Sequence, residues 1–231
     1  MNRFEKAPAS EPPEMNSWAS FGEIQPDKPH SRQKSIEEQR AKYPEIFNPN
    51  KREMYSRIEQ FLEKIDIDDA QNLLKNYGNN YRICSKELVS YLSSILRLKD
   101  SPRVIFEPQE NDGDEGFYSY HDNTITMFYQ RRRGMDMTME DVITAAHETW
   151  HARQALLAHE YKSHPDSVLY RRNIKYYIEP DEDYDGYKTQ RYEWEAENFG
   201  KEFYLRFCTV ESKLRRSYIK QLGRKIKTLA S

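Results

Sequence analysis

The stretch that decides the fold is Ala145-Ala146-His147-Glu148-Thr149-Trp150-His151-Ala152. Histidines four positions apart stand one turn apart on one helical face, so their imidazoles can converge on a single cation. Glu148 projects roughly 100° round the helix from His147 and can reach a water on that cation. The pattern needs a helix, and its flanks supply one. Thr138-Met139-Glu140-Asp141 sets a hydroxyl three positions before an acid, a variant of the capping box. Val142, Ile143, Ala146, Thr149, Trp150 and Ala152 then recur at helical spacing, and no Pro or Gly interrupts before Pro165.

A His-Glu-x-x-His helix is the arrangement by which zinc hydrolases hold their metal, with the glutamate as general base. Zinc lowers the pKa of a water it binds toward ~7, and Glu148 takes the proton as a carbonyl is attacked. Catalytic zinc usually has three protein ligands and one open position, so the chain must supply another donor. His159 and His164 follow the motif helix closely. The stronger candidate lies in Tyr192-Glu193-Trp194-Glu195-Ala196-Glu197-Asn198-Phe199-Gly200, which reads as a second helix with Glu193 and Glu197 one turn apart. Glu193 presented to the metal, with Glu197 hydrogen-bonding a ligating imidazole, would complete the ligands and orient them. Glu197 or Glu195 as the ligand is the rival assignment.

These segments resemble the gluzincin metallopeptidases, in which a second helix carries Glu-x-x-x-Asp after the His-Glu-x-x-His helix. Glu193, Ala196 and Phe199 are also similar to the pattern of the small ImmA/IrrE-type metallopeptidases, a Glu three before an Ala and six before a Phe. The likeness spans roughly residues 85 to 207. It implies zinc held by His147, His151 and Glu193, Glu148 as general base, and a regulatory protein such as a repressor as substrate. Three positions depart from the pattern. Trp150 stands where those peptidases commonly have Gly, Glu197 replaces Asp, and Gly200 replaces Ala.

The oxyanion that develops in such a reaction needs a further donor. Tyr184, Tyr187, Tyr192 and Arg191 lie close to the ligand helix in sequence, and His159 or His164 could swing in.

The rest of the chain sets the frame. At 231 residues there is room for one sizeable core. A net charge of −2 gives no global field favouring nucleic acid or a membrane surface. Only 37% of residues are hydrophobic, but 17 Tyr and 10 Phe bury large area each. Two widely spaced cysteines, Cys84 and Cys208, are no disulfide framework, and no signal core or membrane-length apolar run is present. An intracellular protein is expected.

Residues 1–50 hold seven of the eleven prolines and read as mostly disordered, with Trp18, Phe21 and Ile24, spaced three apart, as incidental residues of a tail or else one turn that docks on the body or a partner. From residue 51 to 231 one domain is expected. Met54, Ile58, Phe61, Leu62 and Ile65 mark a helix, a second runs from Asp68 to before Gly78, and Leu88, Tyr91, Leu92, Ile95 and Leu96 mark a third. Arg103 to Phe106 reads as a strand. Phe117 to Tyr120 and Thr124 to Phe128 read as a hairpin, and the second of these segments is expected at a sheet edge where a peptide can add as a strand. Residues 110–116 form an acidic turn, Arg131 to Arg133 a basic loop, and Lys213 to Lys227 a basic amphipathic helix.

The expectation is therefore an α+β fold with a small sheet and two helices around zinc. The expected activity is peptide hydrolysis on a protein or peptide substrate. The alternative is a non-catalytic helical protein binding nucleic acid or another protein through the C-terminal basic helix. Salt-sensitive nucleic-acid binding by metal-free protein would mark that second reading.

Overall fold

The computed structural model describes residues 29–109, 115–129 and 136–208. The chain divides into two units, Met1–Glu38 and Gln39–Ser231. Of the first, the described part belongs to helix α1 (Pro29–Lys42), which runs on into the second. The second continues with α2 (Pro44–Phe47), α3 (Lys51–Leu62), α4 (Ile67–Tyr77), α5 (Tyr81–Leu96), β1 (Arg103–Pro108), β2 (Gly116–Ser119) and β3 (Thr124–Tyr129). After these come α6 (Met139–His159), α7 (Ser167–Lys175), α8 (Tyr184–Thr189), α9 (Arg191–Phe203) and a π-helical turn (Tyr204–Cys208). This is an α+β fold, mostly helical with a small mixed sheet.

Helix starts follow side-chain caps. Asn50 accepts from the N–H groups of Arg52 and Glu53, and Asp66 from those of Asp68 and Asp69, so α3 and α4 begin where an oxygen can meet orphan donors. α5 starts ahead of Ser85 because Asn80 caps it through Ile83 N–H. The box at α6 forms fully: Thr138 Oγ1 accepts from Asp141 N–H, and Thr138 N–H donates to Asp141 Oδ2 at 2.8 Å.

Within the segment expected to be mostly disordered, Pro29–Lys42 and Pro44–Phe47 are helical. Pro44 opens α2, where a fixed φ and a missing N–H do no harm, and Ile46 and Phe47 are buried. Residues 1–28, the acidic stretch 110–114, the arginines at 131–133 and the basic C-terminal segment lie outside the described residues. Among the described residues no helix is long and apolar enough to cross a membrane.

The sheet runs β1-β3-β2, with β1 parallel and β2 antiparallel to β3. The hairpin forms as expected, with Asn123 in the left-handed region (φ 49°), which Asn tolerates better than most residues. β3 is the central strand, however, and β1 lies on its far side. The expected edge at Thr124 to Phe128 is therefore wrong, and β2 is the edge that meets α6. Gly116 brings it close. A Cβ there would lie 2.8 Å from Thr144 Cγ2 and 3.8 Å from Glu148 Cγ.

One core joins α3, α5, the sheet, α6 and α9. Trp150 belongs to it at 2% exposure, edge-on to Phe61 and against Phe199 at 4.6 Å between centroids. Packed between Phe61 and Phe199, it fastens α6 to α3 and α9. Gly200 sets how closely the two helices approach. A Cβ at this position would meet Ile143 O at 2.7 Å and His147 N at 3.4 Å. Gly200→Ala is expected to destabilise the fold by about 1–3 kcal/mol, as overpacking does, measured by chemical denaturation.

Candidate metal centre

α6 carries His147 and His151 on one face, and α9 lies across it with Glu193 near its first turn. The two Nε2 atoms are 2.8 Å apart. Glu193 Oε1 lies 3.4 Å from His151 Nε2, and Oε2 lies 3.5 Å from His147 Nε2. Among the described residues this is the group of His, Cys, Asp or Glu able to share a metal, its three donor atoms within 4.8 Å of one another.

The arrangement fits zinc. A tetrahedral ion at ~2.0–2.1 Å from N and O sets its ligand atoms about 3.3–3.4 Å apart. The two imidazole–carboxylate separations already match, and the imidazoles need to part by about half an ångström.

Glu148 Oε1 lies 3.8 Å from His147 Nε2, beside the cluster without belonging to it, as a base acting on a metal's water should. Glu197 Oε2 is 3.9 Å from His147 Nδ1, and Glu197 also pairs with Lys201. That is the place expected of the residue behind an imidazole, although the separation is longer than a hydrogen bond.

Glu195 faces elsewhere. It is two residues from Glu193, hence about 200° round the helix, and its fully buried carboxylate accepts from Tyr170 OH at 2.6 Å and Arg191 Nε at 3.0 Å. Arg191 is correspondingly tied to Glu195 and close to Glu53, which removes it from the oxyanion candidates. Its position four residues before Glu195 puts both on the face turned from the imidazoles.

Of the tyrosines proposed from sequence, Tyr187 reaches the centre: its OH donates to Glu193 Oε2 at 3.0 Å. Tyr184 is exposed and stacks on Tyr187 one ring further out. Tyr192 lays its ring on the His151 imidazole, 4.4 Å between centroids and 14° from parallel. His159 stacks on Tyr120, and His164 sits in the loop beside Asp166 (Nδ1 to Asp166 N 3.2 Å), so neither joins the ligands.

Sequence reasoning missed Tyr177, whose OH donates to Glu193 Oε1 at 2.6 Å. It lies between α7 and α8, where no periodicity marks it. Buried amides fix this segment. Gln190 bonds both the C=O and the N–H of Ile178, and Asn173 bonds Gln190 Oε1 and Tyr192 N–H.

The electrostatics follow from these contacts. Burial works against a charged His147, but Glu148, Glu193 and Glu197 around it raise its pKa to about 9. Burial also works against an ionised Glu193, yet His151 and His147 hold its carboxyl well below the ordinary carboxylate range. Tyr177 is pushed up by burial and by the Glu193 charge, so it remains a proton donor.

Comparison with protein-family models, with curated proteins and with solved structures gives no match. The chemistry is therefore read from the side chains themselves.

A metal must displace the proton that His147 keeps below about pH 9. Zinc added to chelator-treated protein at pH 7.5 is expected to release about one proton from this imidazole. Zinc affinity should then rise about tenfold per pH unit up to pH 9 and level off above it. Calorimetric titration in buffers of different ionisation enthalpy measures both.

Proposed function

We propose that this chain is a zinc-dependent peptidase that hydrolyses a peptide bond in a protein or peptide substrate. The observation that carries the reading is the convergence of His147, His151 and Glu193 on one point with Glu148 beside them. When bound, zinc supplies the Lewis acid that polarises a carbonyl and lowers the pKa of water. Glu148 takes a proton from the attacking water and returns it to the leaving amine, the ordinary duty of a general base in this geometry.

The sheet supports a peptide as substrate. Phe128 N–H donates to Glu115 O at 2.9 Å. In an antiparallel ladder hydrogen-bonded pairs alternate with open ones, so the paired residues Phe117 and Ser119 turn their backbone groups to β3. Those of Gly116 and Tyr118 turn to the outer edge. An extended peptide can add there as a fourth strand, with Gly116 bringing it alongside Glu148. A cavity of about 270 Å³, lined in part by Tyr118, Ala152 and Leu156, continues along the same side of α6 one turn beyond Glu148.

Tyr177 and Tyr187 each donate to one oxygen of Glu193. A carboxylate binding a cation through one oxygen weakens the hydrogen bond at that oxygen, so one phenol becomes available to a developing oxyanion. The resemblance to gluzincin and ImmA/IrrE-type peptidases points the same way, and an intracellular regulatory protein is the substrate class it suggests.

Incubation of the zinc-loaded chain with a library of unstructured peptides, read by mass spectrometry, tests the activity. Glu148→Gln is expected to bind one zinc yet lose about 10²–10⁴-fold in cleavage. His147→Ala and Glu193→Ala are expected to lose the metal as well. Cleavage that survives both chelation and Glu148→Gln would sink the reading.

A further inference from the structure

We propose that Gln154 is a positioning residue that fixes the tautomer and ring orientation of His151, and that Glu195, Tyr170 and Arg191 act through it. The inference rests on the metal reading of the centre and extends it to side chains that touch no ligand atom of Glu193.

The amide of Gln154 is fully buried, one turn beyond His151 on α6. Its Nε2 faces two groups that only accept, the Tyr192 carbonyl at 3.0 Å and Glu195 Oε2 at 3.3 Å. Those acceptors settle which end of the amide is nitrogen. Oε1 must then be the atom 2.8 Å from His151 Nδ1, and since an amide oxygen only accepts, Nδ1 carries the hydrogen. With the hydrogen on Nδ1, the nitrogen that can offer a lone pair is Nε2, which faces Glu193 and His147. The short contact between the two histidines agrees. One ring must donate across that contact, and with the lone pair on His151 Nε2 the donor is His147 Nε2.

The orientation of the amide depends in turn on Glu195. Tyr170 OH and Arg191 Nε donate to this carboxylate, which keeps it an acceptor toward Gln154. Tyr192 closes the other side by stacking on the His151 ring and offering its carbonyl to Gln154. Metal-bound imidazoles commonly donate to a carboxylate or a backbone carbonyl. Here the partner is a neutral amide, and the charge stands one hydrogen bond further back.

The test is made on the full chain with zinc as the probe. Gln154→Met keeps the volume and removes the acceptor. It is expected to weaken zinc binding about 10–100-fold, as loss of such an outer partner does. Nitrogen-15 spectra of the imidazoles should show His151 protonated on Nδ1 in the unmodified protein, its proton slow to exchange with solvent, and a mixture of tautomers in the variant. Wild-type zinc affinity together with an unchanged tautomer in Gln154→Met overturns the proposal. If that variant does not fold, the unmodified protein still decides: His151 bound to zinc through Nδ1, or with an Nδ1 proton that exchanges like an exposed one, overturns it. A chain that takes up no zinc overturns the metal reading with it, whereas tight zinc binding indifferent to Gln154 removes only this inference.

Discussion

The whole arrangement depends on α6 and α9 lying close enough for a carboxylate on one to reach between two imidazoles on the other. Gly200 permits the approach at the level of His147, and Trp150 against Phe199 holds it about one turn further along α6. The apolar contacts therefore set the distances within the polar cluster. A separation wider by one methyl group would take Glu193 out of reach of both imidazoles and leave its carboxylate only the phenols of Tyr177 and Tyr187. An uncompensated buried charge is among the most destabilising features a core can have.

Two glutamates two positions apart on α9 solve this problem in opposite ways. Glu193 looks to His147, His151, Tyr177 and Tyr187; Glu195 looks to Arg191, Tyr170 and Gln154. Both are almost without solvent, at 4% and 0% exposure, and a buried carboxylate is costly without hydrogen-bond donors. Each has instead a full set of donors. The difference lies in what kind of donor: an arginine cannot give up its proton, whereas an imidazole can exchange one for a metal. Helical geometry turns one carboxylate into a structural ion pair and its near neighbour into a candidate ligand.

The legible part of this centre was the part written in helical periodicity. The capping residues, the i to i+4 histidines and the breaker-free run after them specify α6, and the need for a third donor singles out the helix with Glu193. The strands were legible as strands because their alternation is local. Their order was not, since a hairpin can receive β1 on either side and the choice depends on packing far away in sequence. Tyr177 could not be distinguished from sixteen other tyrosines because the segment carrying it has no period. Gln154 looks like an ordinary helix residue until the acceptors around its Nε2 are known. The burial of Glu195 and Arg191 was hidden for the same reason, since three carboxylates in five residues also describe a solvated face.

Three carboxylates, Glu148, Glu193 and Glu197, surround the two imidazoles within 4 Å of His147. With His147 protonated and Lys201 paired with Glu197, three carboxylates still face two cations among the described residues here, and low local dielectric magnifies the imbalance. Such a cluster stabilises the folded chain less than a balanced one would, and it gains most from a divalent cation that replaces the His147 proton. Negative neighbours oppose the ionisation that a general base needs, and a cation in place of the His147 proton would offset them beside Glu148. The surplus that weakens the site as a structural element is thus the property that would draw a cation to it.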